Sequence, residues 1–415
     1  MPLKASLKPV ITRRRTLQTI GAALSAAMMP VAGLAGAGGP TGYIRTNWSQ
    51  DPFAYGSYSY YAKGSRKRDR RNLEQPMGGR IFFAGEATFH KRNSTVHAAY
   101  ESGMRVAGML SKKPHQRIAI VGAGISGLAA AHRLTGMGRD VAVFEARDRI
   151  GGRLWTDTRL GVPLDLGASW IHGTDGNPLT DLADSQAMAR VATDDSYILR
   201  GADGRRMRDS ELDDDLWEEV ELQTSAGADV ADLNASAYIL SDDYDGEEVV
   251  FPNGYTPILG ALEGGYDLRL STEIGKISMS EDEVWLTPRA SRPESFDAVI
   301  VTVPLGVLKE GGIGFDPELP SSKRKSIARL GMGLLDKLYL QYDKPFWDLD
   351  ETWIYTPEGS DVPGQFTVWL NFYKTHRVPI IMAFNGGSAA HALADLDDQT
   401  VVTQAARILQ QAYPG

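Results

Sequence analysis

The stretch that most constrains the fold lies well inside the chain. Arg117-Ile-Ala-Ile-Val121 is a short apolar run of the kind that forms a parallel strand buried on both faces. It runs directly into Gly122-Ala-Gly124-Ile125-Ser126-Gly127, then an Ala/Leu-rich helical segment ending at Leu134, then a second apolar run, Asp140–Phe144, closed by Glu145. Each position has a physical task. Gly122 permits a tight strand-to-helix turn, and Gly124 has no side chain to block a pyrophosphate from the helix N-terminus. That helix end offers free N–H groups and a positive dipole. Gly127 allows close helix–strand packing, and Glu145 can accept hydrogen bonds from the hydroxyls of an adenosine ribose. The order strand, glycine turn, helix, strand, acid predicts a dinucleotide-binding βαβ unit. The acid suits the unphosphorylated ribose of NAD or FAD and disfavours NADP.

The residues after Glu145 separate FAD from NAD. Ala146, Arg147 and Arg149 lead to a second glycine pair, Gly151-Gly152-Arg153. That pair can approach the same cofactor, with an arginine beside it to neutralise phosphate. The string resembles the extended fingerprint of FAD-dependent oxidases. Further motifs resemble the flavin amine oxidase family, with polyamine and spermine oxidases the nearest likeness. They are Asp165-Leu-Gly167-Ala168-Ser169-Trp170-Ile-His172-Gly followed by Gly176-Asn-Pro-Leu179, then Phe251-Pro-Asn-Gly-Tyr255, Phe296–Leu308, and Leu335-Asp-Lys337 with Pro345-Phe-Trp347.

The resemblance implies a GR2-type α/β flavoprotein: a Rossmann-like FAD-binding domain with an interleaved α+β substrate domain. It also implies cofactor contacts from Gly167, Ala168, Ser169, Trp170 and Ile274. Lys337 is the implied catalytic lysine, acting through a water beside the flavin, and His172 is the residue able to contact the substrate nitrogen.

One feature of the order departs from the family. Trp48, Asp51-Pro52, Gly56-Ser57-Tyr58-Ser59-Tyr60, Ile81–Thr88 and Thr95–Gly103 resemble the segment that closes the family's chains, yet here they precede the glycine motif. The arrangement looks like a circular permutation, with old ends joined through Ser111–Gln116. It predicts that residues 41–110 pack on the 117–160 unit and that residues 413–415 lie near 38–42. Surface termini that lie close together make such rejoining inexpensive. Within this block Tyr58 resembles the aromatic residue beside the flavin ring. Gly85 and Glu86 end a strand near the cofactor, and Thr95 caps a helix beginning at Val96. Thr95 stands where many monoamine and plant polyamine oxidases carry a second aromatic residue. Spermine oxidases and histone lysine demethylases share that departure.

The domain reading is a signal at 1–37, a substrate-domain strand at 38–57, an FAD-domain segment at 58–115 and the Rossmann core at 116–164. Substrate-domain pieces follow at 165–250 and 310–415, with the FAD domain returning at 251–309.

Composition narrows the function. The 415 residues contain no cysteine, which excludes a disulfide framework, a thiolate metal site, a cysteine nucleophile and a cysteine-linked flavin. Histidines show no metal-ligand spacing. A net charge of −8 argues against a nucleic-acid binder. Residues 181–250 hold 20 acidic residues against five arginines, either a solvated helix face or a funnel for a cationic substrate. Arg66-Lys67-Arg68 with Arg70 and Arg71 reads as solvated loop charge. At the start, Arg13-Arg14-Arg15 precedes a modest Ala-rich run and Ala35-Gly-Ala37. This predicts a twin-arginine export signal, a periplasmic or secreted location and no stable membrane anchor.

The expected activity is oxidation of the C–N bond of a small cationic amine, with O2 as acceptor and H2O2 as product. The rival readings are an L-amino-acid oxidase, another flavin oxidoreductase, and a flavin-bound scaffold without activity.

Overall fold

A computed structural model describes residues 24–25, 38–234, 236 and 244–414. The rest of the export-signal reading, and Gly415, lie outside the described residues. Among the described residues no helix is long and apolar enough to cross a membrane.

The glycine-motif strand sits at the centre of a five-stranded, wholly parallel sheet. Its order is Asp267–Arg269, Asp140–Phe144, Arg117–Val121, Ala298–Val301, Ile81–Phe83. Such a sheet is covered on both faces, which is why its strands are unbroken apolar runs. On one face lie α2 (Val96–Leu110) and α3 (Ile125–Thr135), packed through Val106, Leu110, Leu128 and Leu134. Gly103 allows their close approach: a Cβ there would stand 2.1 Å from the Ser126 carbonyl oxygen. The other face is covered by a four-stranded sheet through Ile277 and Leu286.

The 41–110 block is shared between the two domains: Gly42–Thr46 joins the sheet of the second, while its later part packs into the cofactor domain. It supplies the edge strand Ile81–Phe83 and the helix α2.

A seven-stranded sheet builds the second domain. Leu335–Gln341 is central to it, between Gly42–Thr46 and Ile380–Gly386. Its alternating side chains divide between two cores. Tyr339, Met382 and Leu370 face Trp170, while Leu338, Leu340 and Ile381 face Val402 and Leu409 of the final helix, Asp398–Ala412. Thr41 and Tyr413 approach the same end of the long strand. Thr41 N–H donates to Gln341 O (2.7 Å). Tyr342 packs on Phe346, which packs in turn on Tyr413 (6.2 Å between centroids).

Two expectations need correction. The substrate-domain boundary at 310 is too early. Gly314–Asp316 pairs with Ile274–Met279 of the cofactor side. Helix Ser321–Arg329 packs on α1 (Lys67–Glu74), with Ser326 Oγ donating to Asp69 Oδ1 at 2.8 Å. The basic cluster 66–71 is not loop charge. It forms α1, whose spacing turns Asp69, Arg70 and Leu73 inward and leaves Arg68 and Arg71 in solvent.

Candidate functional site

A cavity of about 610 Å³ opens where the glycine turn meets the 48–99 block. Gly122 has φ +107°, and a Cβ there would strike Thr302 Oγ1 at 2.6 Å. A Cβ on Gly124 would meet nothing nearer than the Gly151 carbonyl at 3.9 Å, so that position is left open to the cavity. Glu145 is buried and fixed. One carboxylate oxygen accepts from Ala123 N–H (2.8 Å), the other from Arg147 N–H (2.9 Å). Ile125, Ser126, Ala146, Arg147, Gly152, Arg153 and Ile274 line the same space. Open glycine backbone at a helix N-terminus, an immobilised acid and two arginines form a donor set that fits a dinucleotide.

The block before the glycine motif completes the wall with Tyr58, Gly85, Glu86, Thr95 and Val96. Thr95 caps α2, its Oγ1 accepting from Ala98 N–H (3.1 Å) and donating to Arg92 O (2.6 Å). Tyr58 donates its hydroxyl proton to Thr224 O (3.0 Å), which fixes the ring against the cavity. Glu86 is held rather than free. It accepts from Ser59 Oγ (2.5 Å) and from Arg153 Nη1 (3.0 Å). So Arg153 is partly neutralised within the protein, and its expected role at phosphate is shared with a carboxylate. Sequence reasoning missed Arg70. Wholly buried, it donates to Ser59 Oγ (2.6 Å) and Asn93 Oδ1 (2.8 Å), behind Glu86. Only its place in a run of exposed bases hid it.

Several predicted residues do not line this cavity. Gly127 packs under the turn, where a Cβ would sit 2.0 Å from Gly122 O. Gly167 packs under Arg153, at 1.9 Å by the same measure. Of the run 167–170, only Ala168 reaches the cofactor space. Ser169 accepts a hydrogen bond from Lys337 Nζ (2.6 Å), and that ammonium also donates to the carbonyls of Asp165 (2.6 Å) and Gly167 (2.9 Å). Lys337 thus supports the loop behind Ala168, and burial lowers its pKa. Burial likewise raises the pKa of neighbouring Asp165, so both groups are pressed toward neutrality.

Trp170 faces a second cavity of about 210 Å³. Trp217, Trp353 and Tyr355 share its wall. The carboxylates of Asp194, Asp214, Glu221 and Glu248 give it negative charge. His172 stacks on Trp170 (14° between rings), and its Nδ1 lies 2.6 Å from Glu248 Oε2. The carboxylate marks Nδ1 as the protonated nitrogen. Segment 165–172 therefore divides the two cavities, with Ala168 on one side and Trp170 on the other. Six of the 20 acidic residues in 181–250, Asp194, Asp195, Asp209, Asp214, Glu221 and Glu248, border this space.

Fold and cavity define a dinucleotide-cofactor protein of two interleaved domains. The sequence profile of the flavin containing amine oxidoreductase family matches residues 13–110, 125–220 and 186–415, and the chain belongs to that family, which implies a flavin cofactor. Polyamine oxidase 4 of Oryza sativa subsp. japonica is 29% identical, aligned over 72% of this chain and 73% of its own. Polyamine oxidase 2 of Arabidopsis thaliana is 28% identical over 74% of this chain and 75% of its own. Among solved structures, a putrescine oxidase with putrescine bound has a TM-score of 0.57 and 20% identity, over 72% of this chain and 82% of that one. A cyclohexylamine oxidase from Brevibacterium oxydans matches over the same shares, with TM-score 0.57 and 22% identity. Both likenesses concern the fold.

Proposed function

We propose that the chain is an exported FAD-dependent amine oxidase acting on polyamines. The observation that carries this reading is the acidic, aromatic-walled cavity set one loop away from the cofactor cavity. Carboxylates draw in ammonium groups, and indole and phenol faces hold cations and alkyl chain alike. Held by the glycine turn, Glu145 and the arginines beside it, a bound flavin would supply two-electron oxidation of the carbon next to nitrogen, with O2 as acceptor and hydrogen peroxide as product. Water then hydrolyses the imine to an aldehyde and an amine.

The chain's own residues do the positioning. Lys337 fixes the loop that separates the two spaces. His172, held by Glu248, stacks on Trp170 and fixes the orientation of that indole at the acidic cavity. The aromatic walls exclude water and so favour the neutral amine, the form whose lone pair assists hydride loss.

The permuted order belongs to the same proposal. Its support is the separate match at 13–110, ahead of those at 125–220 and 186–415. The twin-arginine signal adds export after folding.

Purification without added cofactor, an absorbance spectrum and a peroxide assay test the reading. The panel is spermine, spermidine, putrescine, a monoamine and L-amino acids. A yellow protein that releases peroxide with the polyamines supports it. Turnover confined to L-amino acids, or a yellow protein inert to all, overturns it.

A further inference from the structure

Most of the cofactor cavity is walled by sheet and helix, but one part is not. Segment Trp48–Ser57 contributes Pro52, Phe53 and Tyr55 to the lining and has little regular structure beyond a single turn at its start. Its two ends are anchored. Trp48 is fully buried with its N–H on Asp336 Oδ1 (3.0 Å), and Ser57 N–H donates to Gly333 O (2.7 Å). Its middle is folded on itself around Asp51, whose carbonyl accepts from Ala54 (3.1 Å) and Tyr55 (2.9 Å) and whose carboxylate accepts from Phe53 N–H (2.7 Å).

That carboxylate is fully buried, and Arg147 Nη2 donates to both its oxygens, at 2.8 and 2.7 Å. The Arg147 guanidinium also sits 5.2 Å from the centroid of the Phe53 ring. Arg147 belongs to the Rossmann unit and lines the cavity, whereas Asp51 stands behind the wall. The same segment rests on Gly306, where an added Cβ would fall 2.1 Å from Ala54 O.

A wall made of backbone sheet opens only by unfolding. A wall held by one side-chain clasp opens by breaking that clasp. We infer that Asp51 and Arg147 form a clasp that holds the Trp48–Ser57 strap against the cofactor cavity, so that the bound dinucleotide leaves only when the clasp opens. Asp51 is then a positioning residue that sets cofactor residence time while touching no reacting atom. The inference rests on the flavin-dinucleotide reading of the cavity, and the two fail separately.

The experiment follows flavin fluorescence as the freshly desalted holoprotein is diluted, together with hydrogen exchange of the 48–57 amides. Asp51→Asn keeps the shape and removes the charge. Gly306→Ala wedges the strap from its other side and touches neither clasp residue. Each is expected to speed flavin release by about tenfold, the effect of losing a buried charge-assisted bond, and to raise exchange at 48–57 while α3 stays protected. Asp51→Glu should recover part of the loss. Release at the wild-type rate from folded Asp51→Asn or Gly306→Ala protein overturns the clasp. In the unaltered protein, flavin that departs faster than the 48–57 amides exchange overturns it equally, whether or not the variants fold. A protein that carries no flavin and takes up none overturns the cavity reading instead.

Discussion

At the scale of single residues, burial decides what charged groups do here. Lys337 spends three donors on Asp165 O, Gly167 O and Ser169 Oγ. Lys337→Met should therefore leave the flavin bound, lower kcat by about tenfold or more, and lower thermal stability, because three buried acceptors lose their donor. Stopped-flow absorbance and a melting curve check the two effects. An unchanged flavin reduction and reoxidation rate would limit the lysine to structure.

Lys323 offers a cleaner titration. Its ammonium donates to the carbonyls of Asn72 (2.9 Å) and Leu73 (2.5 Å) at the end of α1, and desolvation lowers its pKa to about 7. Between that value and the unfolded-state value of about 10.4, the unfolded chain binds more protons than the native one. Stability thus rises with pH across this window and is level below it. Urea midpoints at pH 7 and 9.5 should differ in the wild type and converge in Lys323→Met.

At the scale of elements, the block before the glycine motif is built to serve a site made elsewhere in the chain. α2 lines the cavity only through its first turn, Val96 and Ala99. Its start is fixed by the Thr95 cap. Thr95→Ala should cost about 1 kcal/mol by denaturant titration and weaken flavin binding as the first turn frays. Thr95→Ser, which keeps the hydroxyl, should restore both. The glycine turn, α3 and the strands Arg117–Val121 and Asp140–Phe144 were legible from residue pattern alone, because buried parallel strands and glycine turns leave local marks. By contrast, α2 and Ala298–Val301 came from the family likeness, and the edge strand Asp267–Arg269 went unread. α1 was not legible, since an arginine that turns inward has the same letter as one in solvent. The 310–330 segment was not, since its partners Ile274–Met279 and α1 are far away in sequence.

The whole molecule is two interleaved domains, and Ser111–Gln116, of which all but the half-buried His115 are exposed, connects α2 to the glycine-motif strand within the cofactor domain. If that connection merely rejoins old ends, cutting it should not disturb the fold. A specific protease site placed between Lys112 and Pro114 should, once cleaved, leave two fragments that co-elute with the flavin and keep their melting temperature within a few degrees. Separation of the fragments on cleavage would mean that the covalent connection itself holds α2 and its block on the cofactor domain. The amine reading makes a prediction at the same scale. A neutral nitrogen is required and free alkylamines titrate near 10.4, so turnover should climb from pH 6 toward mildly alkaline pH, and a flat profile would count against it.

The sequence by itself determined the dinucleotide turn, the acid that ends the second strand, the absence of thiol chemistry and the family likeness. Each is a matter of which residue follows which within a few positions. Only the tertiary structure decided which residues share a cavity. It placed Trp170 at an acidic space with His172 stacked behind it, kept Ala168 at the cofactor cavity, and turned Lys337 toward a loop. It also brought Asp51 onto Arg147. Those outcomes depend on contacts between segments far apart in the chain, whose geometry is fixed by how sheets and helices pack and not by local order.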